Sequence, residues 1–295
     1  MLSYQHVYHA GNFADVHKHA VLLDAFKALK LKPLPLDVLD THAGRGIYDL
    51  TSDEARKNAE FVNGAGYVWA QFQAKSKLEQ ESHALKDYVR RIAAHNPGSE
   101  LKQYPGTAMI AADMLDKADR ITTSEKHPGE FALLQANMPK NATLRQEDGL
   151  GLLSGLDAPA AGRRRVVVID PSYEIKTDYQ AVPQAIIKAY NKSPQGCYIL
   201  WYPLMANGAH RDMMTILRKA SVKDVLVSEL RLQTPPQEGY RMTGSGMAVI
   251  NPPWPEHHLR RLTEVISGSL PIKAFADTFW LDNVKINPET ERVTL

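Results

Sequence analysis

The run Val166-Val167-Val168-Ile169 leads straight into Asp170-Pro171-Ser172-Tyr173, an acid, a proline and an aromatic ring within four positions. An unbroken apolar run of this kind reads as a strand buried on both faces, and its end lies at the rim of a sheet. A carboxylate at such a rim can accept one N–H of an aromatic amine, and a backbone carbonyl can accept the other. That arrangement suits an exocyclic amine such as adenine N6, a weak nucleophile because its lone pair is delocalised into the ring. Accepting both N–H bonds favours a pyramidal nitrogen and takes up the positive charge that develops on it. The Asp170 side chain and the Pro171 carbonyl are the expected acceptors, Pro171 fixes the turn, and Tyr173 is expected to stack on a flipped-out base.

Three more acids follow apolar runs: Asp40 after Leu36–Leu39, Glu125 after Arg120–Thr123, and Asp148 after Ala142–Arg145. In an open α/β sheet, ligands bind outside the carboxyl ends of the strands. An acid after the second strand can accept both hydroxyls of a ribose. An acid after the third can accept an adenine amino group, and Gly149 beside it leaves room for the ring. Each acid alone is a turn or helix-cap residue; the ordered set of four points to a nucleoside-bearing ligand. Between them, Asp40-Thr41-His42-Ala43-Gly44-Arg45-Gly46 offers only a G-x-G, short of the dinucleotide fingerprint and equally suited to a plain tight turn.

The peptide at Asp170 fits the amino-methyltransferase pattern (D/N/S)-P-P-(Y/F/W) at three of four places, with Ser172 where the second proline belongs. Asn251-Pro252-Pro253-Trp254 fits it at all four. It follows the last strand of the expected sheet, on the far side from the ordered acids, and is expected to shape a sheet edge or groove. Near the start of the chain, His6, His9, His17 and His19 cluster without an H-E-x-x-H spacing or a nearby cysteine, so no metal is expected. Lys18 lies where a helix begins behind the capping candidates Asn12 and Asp15, and can neutralise a ligand carboxylate. Tyr4 and Tyr8 are candidates for stacking on bases.

These residues need a scaffold that presents strand ends in a row. Strands are expected at the four runs above and at Tyr198–Trp201, Val225–Leu232 and Met247–Ile250, with Ala274–Leu281 as a final candidate. Helical patterns over Ala14–Leu31, Ala108–Ala118, Glu130–Met138, Asp178–Lys192 and Gly208–Ala220 alternate with them. Alternation predicts an α/β fold with a mostly parallel sheet covered on both faces. A long Pro/Gly-rich loop between Leu232 and Met247 predicts an antiparallel edge strand. From about Ser52 to Gln103 the pattern is helical throughout, with Trp69, Phe72, Leu85, Tyr88, Val89 and Ile92 at helical spacing. The expected organisation is one Rossmann-like domain, residues 1–51 and 104–295, with a small helical subdomain inserted at 52–103.

The chain has 295 residues, 44% hydrophobic and 23% charged, the composition of an ordinary globular protein. It has no apolar run long enough to span a bilayer and no apolar leader near its start, so a cytoplasmic protein with no membrane association is expected. A single cysteine, Cys197, excludes an intrachain disulfide. The net charge of +2 does not by itself indicate a nucleic-acid partner. Arg163-Arg164-Arg165 and scattered Lys/Arg clusters read either as solvated faces or as a surface for phosphates.

Taken together, SYQHVYHAGNFADVHKH, LDTHAGRGIYDL, YPGT, SEKHP, EDG, DPSYEIKTDYQAV, WYP and GSGMAVINPPW resemble the bacterial 23S ribosomal RNA adenine-N6-methyltransferases of the RlmJ family. The similarity runs through nearly the whole chain, with the helical insertion least distinctive. It implies a class I methyltransferase fold, S-adenosylmethionine as co-substrate without a metal, and transfer of one methyl group to an adenosine of naked or partly assembled 23S rRNA by a monomer. It further implies that His19, His42, Thr107, Glu125, Asp148, Gly149 and Asp170 contact the methyl donor, with Lys18 beside them. It gives Asp170 the catalytic role and Tyr4 a place on the substrate side. Rivals are a DNA-adenine or protein-glutamine methyltransferase and an RNA-binding chaperone. Asp170 in place of asparagine disfavours the glutamine class, the small insertion disfavours a DNA enzyme, and the intact acids disfavour a chaperone.

Overall fold

The computed structural model describes residues 4–74, 83–220, 222–234, 242–283, 285–286 and 293–294. The first long helix, α1 (Phe13–Lys30), starts where the Asn12 side chain accepts the backbone N–H of Asp15 at 3.0 Å. It is buried on almost every side, as an interior helix must be when its surface is mostly apolar all round. The strands are β1 (Leu36–Asp40), β2 (Ile47–Asp49), β3 (Gln103–Pro105), β4 (Arg120–Ser124), β5 (Thr143–Arg145), β6 (Arg164–Ile169), β7 (Cys197–Met205), β8 (Val225–Leu232), β9 (Met242–Ile250) and β10 (Ala274–Trp280), followed by a short antiparallel pair, Lys285–Ile286 with Val293–Thr294.

Eight of them form one sheet in the order β10-β8-β9-β7-β6-β1-β4-β5. The pairs from β7 to β5 are parallel. β9 enters antiparallel between β7 and β8, and β10 runs antiparallel along β8 at the edge. The chain leaves β1 towards β4 and β5 on one side and returns to β6 on the other, so the crevice at a strand-order reversal opens beside β1. Alternate side chains serve opposite faces: Val166 and Val168 join the core with α1, while Val167 and Ile169 join a second core under the helices Asp178–Lys192 and Ala209–Lys219.

The stretch expected to be helical contains the helices Asp53–Asn58, Ala65–Gln73 and His83–Ala94. Leu85, Tyr88, Val89 and Ile92 are buried along one stripe and share a core with Leu22 and Phe26 of α1. At its base the β2–β3 ribbon was not legible, because strands of three residues carry no usable alternation. The helix expected over Ala108–Ala118 ends at Asp113. The chain turns there because the Asp119 carboxylate accepts the N–H groups of Asp116 and Leu36 and pairs with Lys30.

Two sequence clusters are explained by the sheet's far end. Tyr198 pairs with Ile250, so the end of β9 lies beside the start of β7, and Asn251 sits at the pole opposite Asp170. The Asn251 side chain donates to the carbonyls of Pro194 (2.8 Å) and Gly196 (2.7 Å) from a left-handed backbone, φ +53°. Arg163 donates to the carbonyls of Ala118 and Leu36, and Arg165 pairs with Asp37 at 3.2 Å. Those two arginines join strand beginnings together. Among the described residues, no helix is long and apolar enough to cross a membrane.

Candidate active site

Asp170, Asp40, Glu125 and Asp148 follow or end the neighbouring strands β6, β1, β4 and β5, all at their carboxyl ends. With parallel strands about 4.8 Å apart, the row extends roughly 14 Å, the scale of an amino acid joined to a nucleoside. Each acid has a distinct local anchor. Asp40 is fully buried; its Oδ1 accepts from His42 N at 3.0 Å, and Oδ2 is buried with no hydrogen-bond partner among the described residues. Burial pushes its carboxyl up to about 7, against the opposing pull of the Thr107 hydroxyl and the His42 N–H. Thr107 opens the helix Thr107–Asp113 and is itself buried.

Glu125 accepts Gly44 N at 3.0 Å through Oε2 and His127 N at 2.6 Å through Oε1. Each oxygen has a second acceptor site, as needed for a pair of vicinal hydroxyls. Gly44, at φ +58°, has no room for a Cβ beside the Tyr48 hydroxyl, which accounts for a glycine at that turn. Asp148 caps the helix Gly149–Gly155 by accepting from Leu150 N and Gly151 N, and pairs with Lys126 at 2.8 Å. At Gly149 a Cβ would overlap the carbonyl of Thr41, so the missing side chain admits backbone from the β1 turn.

Asp170 is reached from α1. Lys18, almost fully buried, places Nζ 2.5 Å from Asp170 Oδ2 and 2.8 Å from Asp15 Oδ1. Burial alone would lower the Lys18 pKa, but the two carboxylates override it and hold the ammonium well above its ordinary range. The lysine expected to meet a ligand carboxylate is therefore engaged by two carboxylates of the protein. The Lys18 ammonium also lies 5.5 Å from the ring centroid of Trp201.

His19 is fully buried, with Nδ1 at 2.7 Å from the Tyr104 hydroxyl and Nε2 unpartnered among the described residues. Burial pushes its ring down to about 3, so it is neutral. His42 lies beside Thr41, whose hydroxyl is 2.7 Å from its Nδ1, and burial lowers it to about 4. Two buried, unsatisfied polar atoms, His19 Nε2 and Asp40 Oδ2, are costly unless a ligand pairs with them. Together with the row of acids, they fit a donor with both an amino-acid end and a nucleoside end.

The Asp170 loop departs from expectation at its aromatic. Tyr173 is only 3% exposed; its hydroxyl donates to the Trp201 carbonyl at 3.1 Å and its ring packs 4.8 Å from that of Tyr179. Its backbone is left-handed, φ +53°, an uncommon conformation for a bulky residue. In this conformation the ring braces the loop from inside and presents no open face to a base, because the tilt of its backbone turns it into the second core. Ser172 Oγ accepts Glu174 N at 3.4 Å, a local turn bond that proline cannot make. Tyr4 is partly exposed; its hydroxyl lies 2.9 Å from His6 Nδ1, and its ring stacks on His9 at 5.8 Å.

Sequence reasoning gave no role to Asp15 beyond capping, none to His6, and none to Trp201. The Asp15/Lys18 pair carried a signal, three-residue spacing in a first helical turn. Trp201 carried none, since β7 is brought to α1 only by the sheet.

A family model described as ribosomal RNA large subunit methyltransferase D, RlmJ, matches residues 33–275. The ribosomal RNA large subunit methyltransferase J of Escherichia coli (strain K12) is 38% identical over 256 residues, 86% of this chain and 88% of that protein. The protein of the same description from Haemophilus influenzae is 38% identical over 257 residues, with the same coverage. The crystal structure of protein LPL1258 from Legionella pneumophila superposes with a TM-score of 0.82 at 33% identity, covering 92% of this chain and 98% of that one.

Proposed function

Because the chain belongs to the RlmJ family of ribosomal RNA large subunit methyltransferases, we propose that it transfers a methyl group from S-adenosylmethionine to N6 of an adenosine in 23S rRNA, with Asp170 as the catalytic carboxylate. The observation that carries this reading is the Asp170 carboxylate at the rim of β6, 13% exposed and fixed by the Lys18 ammonium at 2.5 Å. Lys18 occupies Oδ2, and Oδ1 accepts no hydrogen bond from the described residues. An adenine amine can therefore donate one N–H to Asp170 and the other to the Pro171 carbonyl.

Bound at the row of acids, S-adenosylmethionine supplies an electrophilic methyl on a sulfonium. His19 and Asp40 suit its amino-acid end, with Thr107 and His42 beside them. Glu125 suits the ribose, and Asp148 with Gly149 borders the adenine end. Asp170 withstands the developing positive charge on nitrogen and holds the amine in line; it need not remove a proton before attack, because the N–H becomes acidic only as the nitrogen becomes positive. Tyr173 pins the loop, and Tyr4 borders the base on the substrate side. The proposed chemistry needs no metal, because the sulfonium itself makes the methyl group electrophilic. A monomer acting in the cytoplasm on naked or partly assembled rRNA completes the proposal.

Incubation with labelled donor against 23S rRNA, DNA and protein, followed by nucleoside analysis, should put the label in N6-methyladenosine of the RNA. Asp170→Ala should cut single-turnover transfer at saturating donor by at least 100-fold, roughly 3 kcal/mol of transition-state stabilisation, with donor binding measured separately. Label in DNA or protein, or undiminished transfer by Asp170→Ala, would contradict the assignment.

A further inference from the structure

Asp15 is a buried acid whose three partners belong to different parts of the site. Its side chain is 2% exposed. Oδ2 accepts from Gly11 N at 2.7 Å and lies 2.9 Å from His6 Nε2, while Oδ1 pairs with Lys18 Nζ at 2.8 Å. Burial would raise its pKa, but the neighbouring His6 and Lys18 outweigh burial and hold the carboxyl well below its usual range. His6 in turn meets the Tyr4 hydroxyl, and Lys18 meets Asp170. A continuous chain of polar contacts thus runs Tyr4–His6–Asp15–Lys18–Asp170, and no hydrogen bond joins His6 to Lys18 directly.

We propose that Asp15 is a positioning residue for methyl transfer, carrying the seating of the N-terminal segment, through His6, to the Lys18 ammonium that holds Asp170. The proposal rests on the reading of Asp170 as the catalytic carboxylate. One ammonium is shared between two carboxylates, so what Asp15 gains from another donor alters its hold on Lys18. With His6 seated on Asp15, that demand is met in part by the imidazole, and Lys18 settles on Asp170. With His6 withdrawn, Asp15 draws the ammonium back towards α1. The N-terminal segment itself is anchored beside the site: Tyr4 N donates to Glu174 in the Asp170 loop (3.3 Å), and His9 lies 2.8 Å from Glu60 of the helical insertion. Substrate-side residues and the catalytic carboxylate are thereby read by one buried acid.

The test is a double-mutant cycle in single-turnover methyl transfer to rRNA with the full chain. His6→Ala and Lys18→Met are each expected to slow transfer at least tenfold, and the double variant to be no slower than the worse single one. In an Asp15→Asn background, His6→Ala should cost less than threefold, with donor affinity in every variant within about threefold of the parent. Losses that simply multiply, or a His6→Ala cost that survives in Asp15→Asn, would overturn the proposal. So would a loss of donor affinity that matches the loss of rate, since Asp15 would then be a structural prop of the donor site. If Asp15→Asn does not fold, the His6/Lys18 cycle alone decides. Undiminished transfer by Asp170→Ala would sink the Asp170 assignment and this proposal with it, whereas multiplying losses sink the proposal alone.

Discussion

At the scale of single residues, chemistry is set by the ending a side chain is given. Asp170 and Asn251 stand in nearly the same peptide, yet only the first meets an ammonium and the row of acids. Asn251 spends both amide hydrogens on the carbonyls before β7 and accepts a left-handed backbone that asparagine tolerates better than most residues. Asn251→Ala should therefore cost stability, about 1–2 kcal/mol for two lost bonds that are at most partly buried, and leave the methyl-transfer rate per folded molecule unchanged. Denaturant melts and single-turnover assays check the two halves; a rate loss exceeding the folding loss would return this peptide to the chemistry. Asp40 and Asp170 were readable in the sequence because each closes an apolar run, whereas Glu125 and Asp148 follow short, β-branched or mixed segments (Arg120–Thr123 and Ala142–Arg145) and were readable only as members of the ordered set. The inward turn of Tyr173 was not, because a positive φ leaves no mark on residue type there.

At the scale of elements, legibility followed periodicity. The helix Asp178–Lys192 and strand β8 match the sequence pattern end to end; in the helix the apolar spacing prevails over Pro183, which sits in its second turn. β7 and β9 run longer than expected, because Pro203, Gly244 and Gly246 interrupt the apolar count without interrupting the pairing. The placement of β9 between β7 and β8 was beyond the sequence, which indicated only that one strand turns back. Close packing of the Gly149–Gly155 helix on the β1 turn requires a glycine at 149, where a Cβ would meet the Thr41 carbonyl. Gly149→Ala is expected to push that helix off Thr41, destabilising the fold by about 1–3 kcal/mol and weakening donor binding through the displaced Asp148. Calorimetry and equilibrium binding test this; a variant as stable and as tight as the parent would contradict it.

At the scale of the whole molecule, the binding crevice and the hydrophobic core are built around the same helix. His17, fully buried between the hydroxyls of Ser245 (3.0 Å) and Ser228 (2.8 Å), is pushed by burial down to about 3. Unfolding frees it to titrate near 6.5, so its contribution to stability is complete above that pH and is lost as the pH falls from 6.5 towards 3. Asp40 works with the opposite sign, because burial raises an acid and favours the native state on the acidic side. His17→Gln, which can still bond both serines, should lose less stability between pH 7 and pH 5 than the parent, by about 2 kcal/mol. Parallel pH dependences in the two proteins would show that this imidazole already titrates in the folded state. The neighbours His17, Lys18 and His19 each face a different part of the protein: the serines of β8 and β9, the carboxylate after β6, and Tyr104 of the β2–β3 ribbon. Successive helical residues are rotated by about 100°, so α1 works as a camshaft whose timing is fixed at Asn12. One added residue between Asn12 and His17 would rotate all three lobes out of phase together, whereas extra length before Asn12 would leave the timing intact.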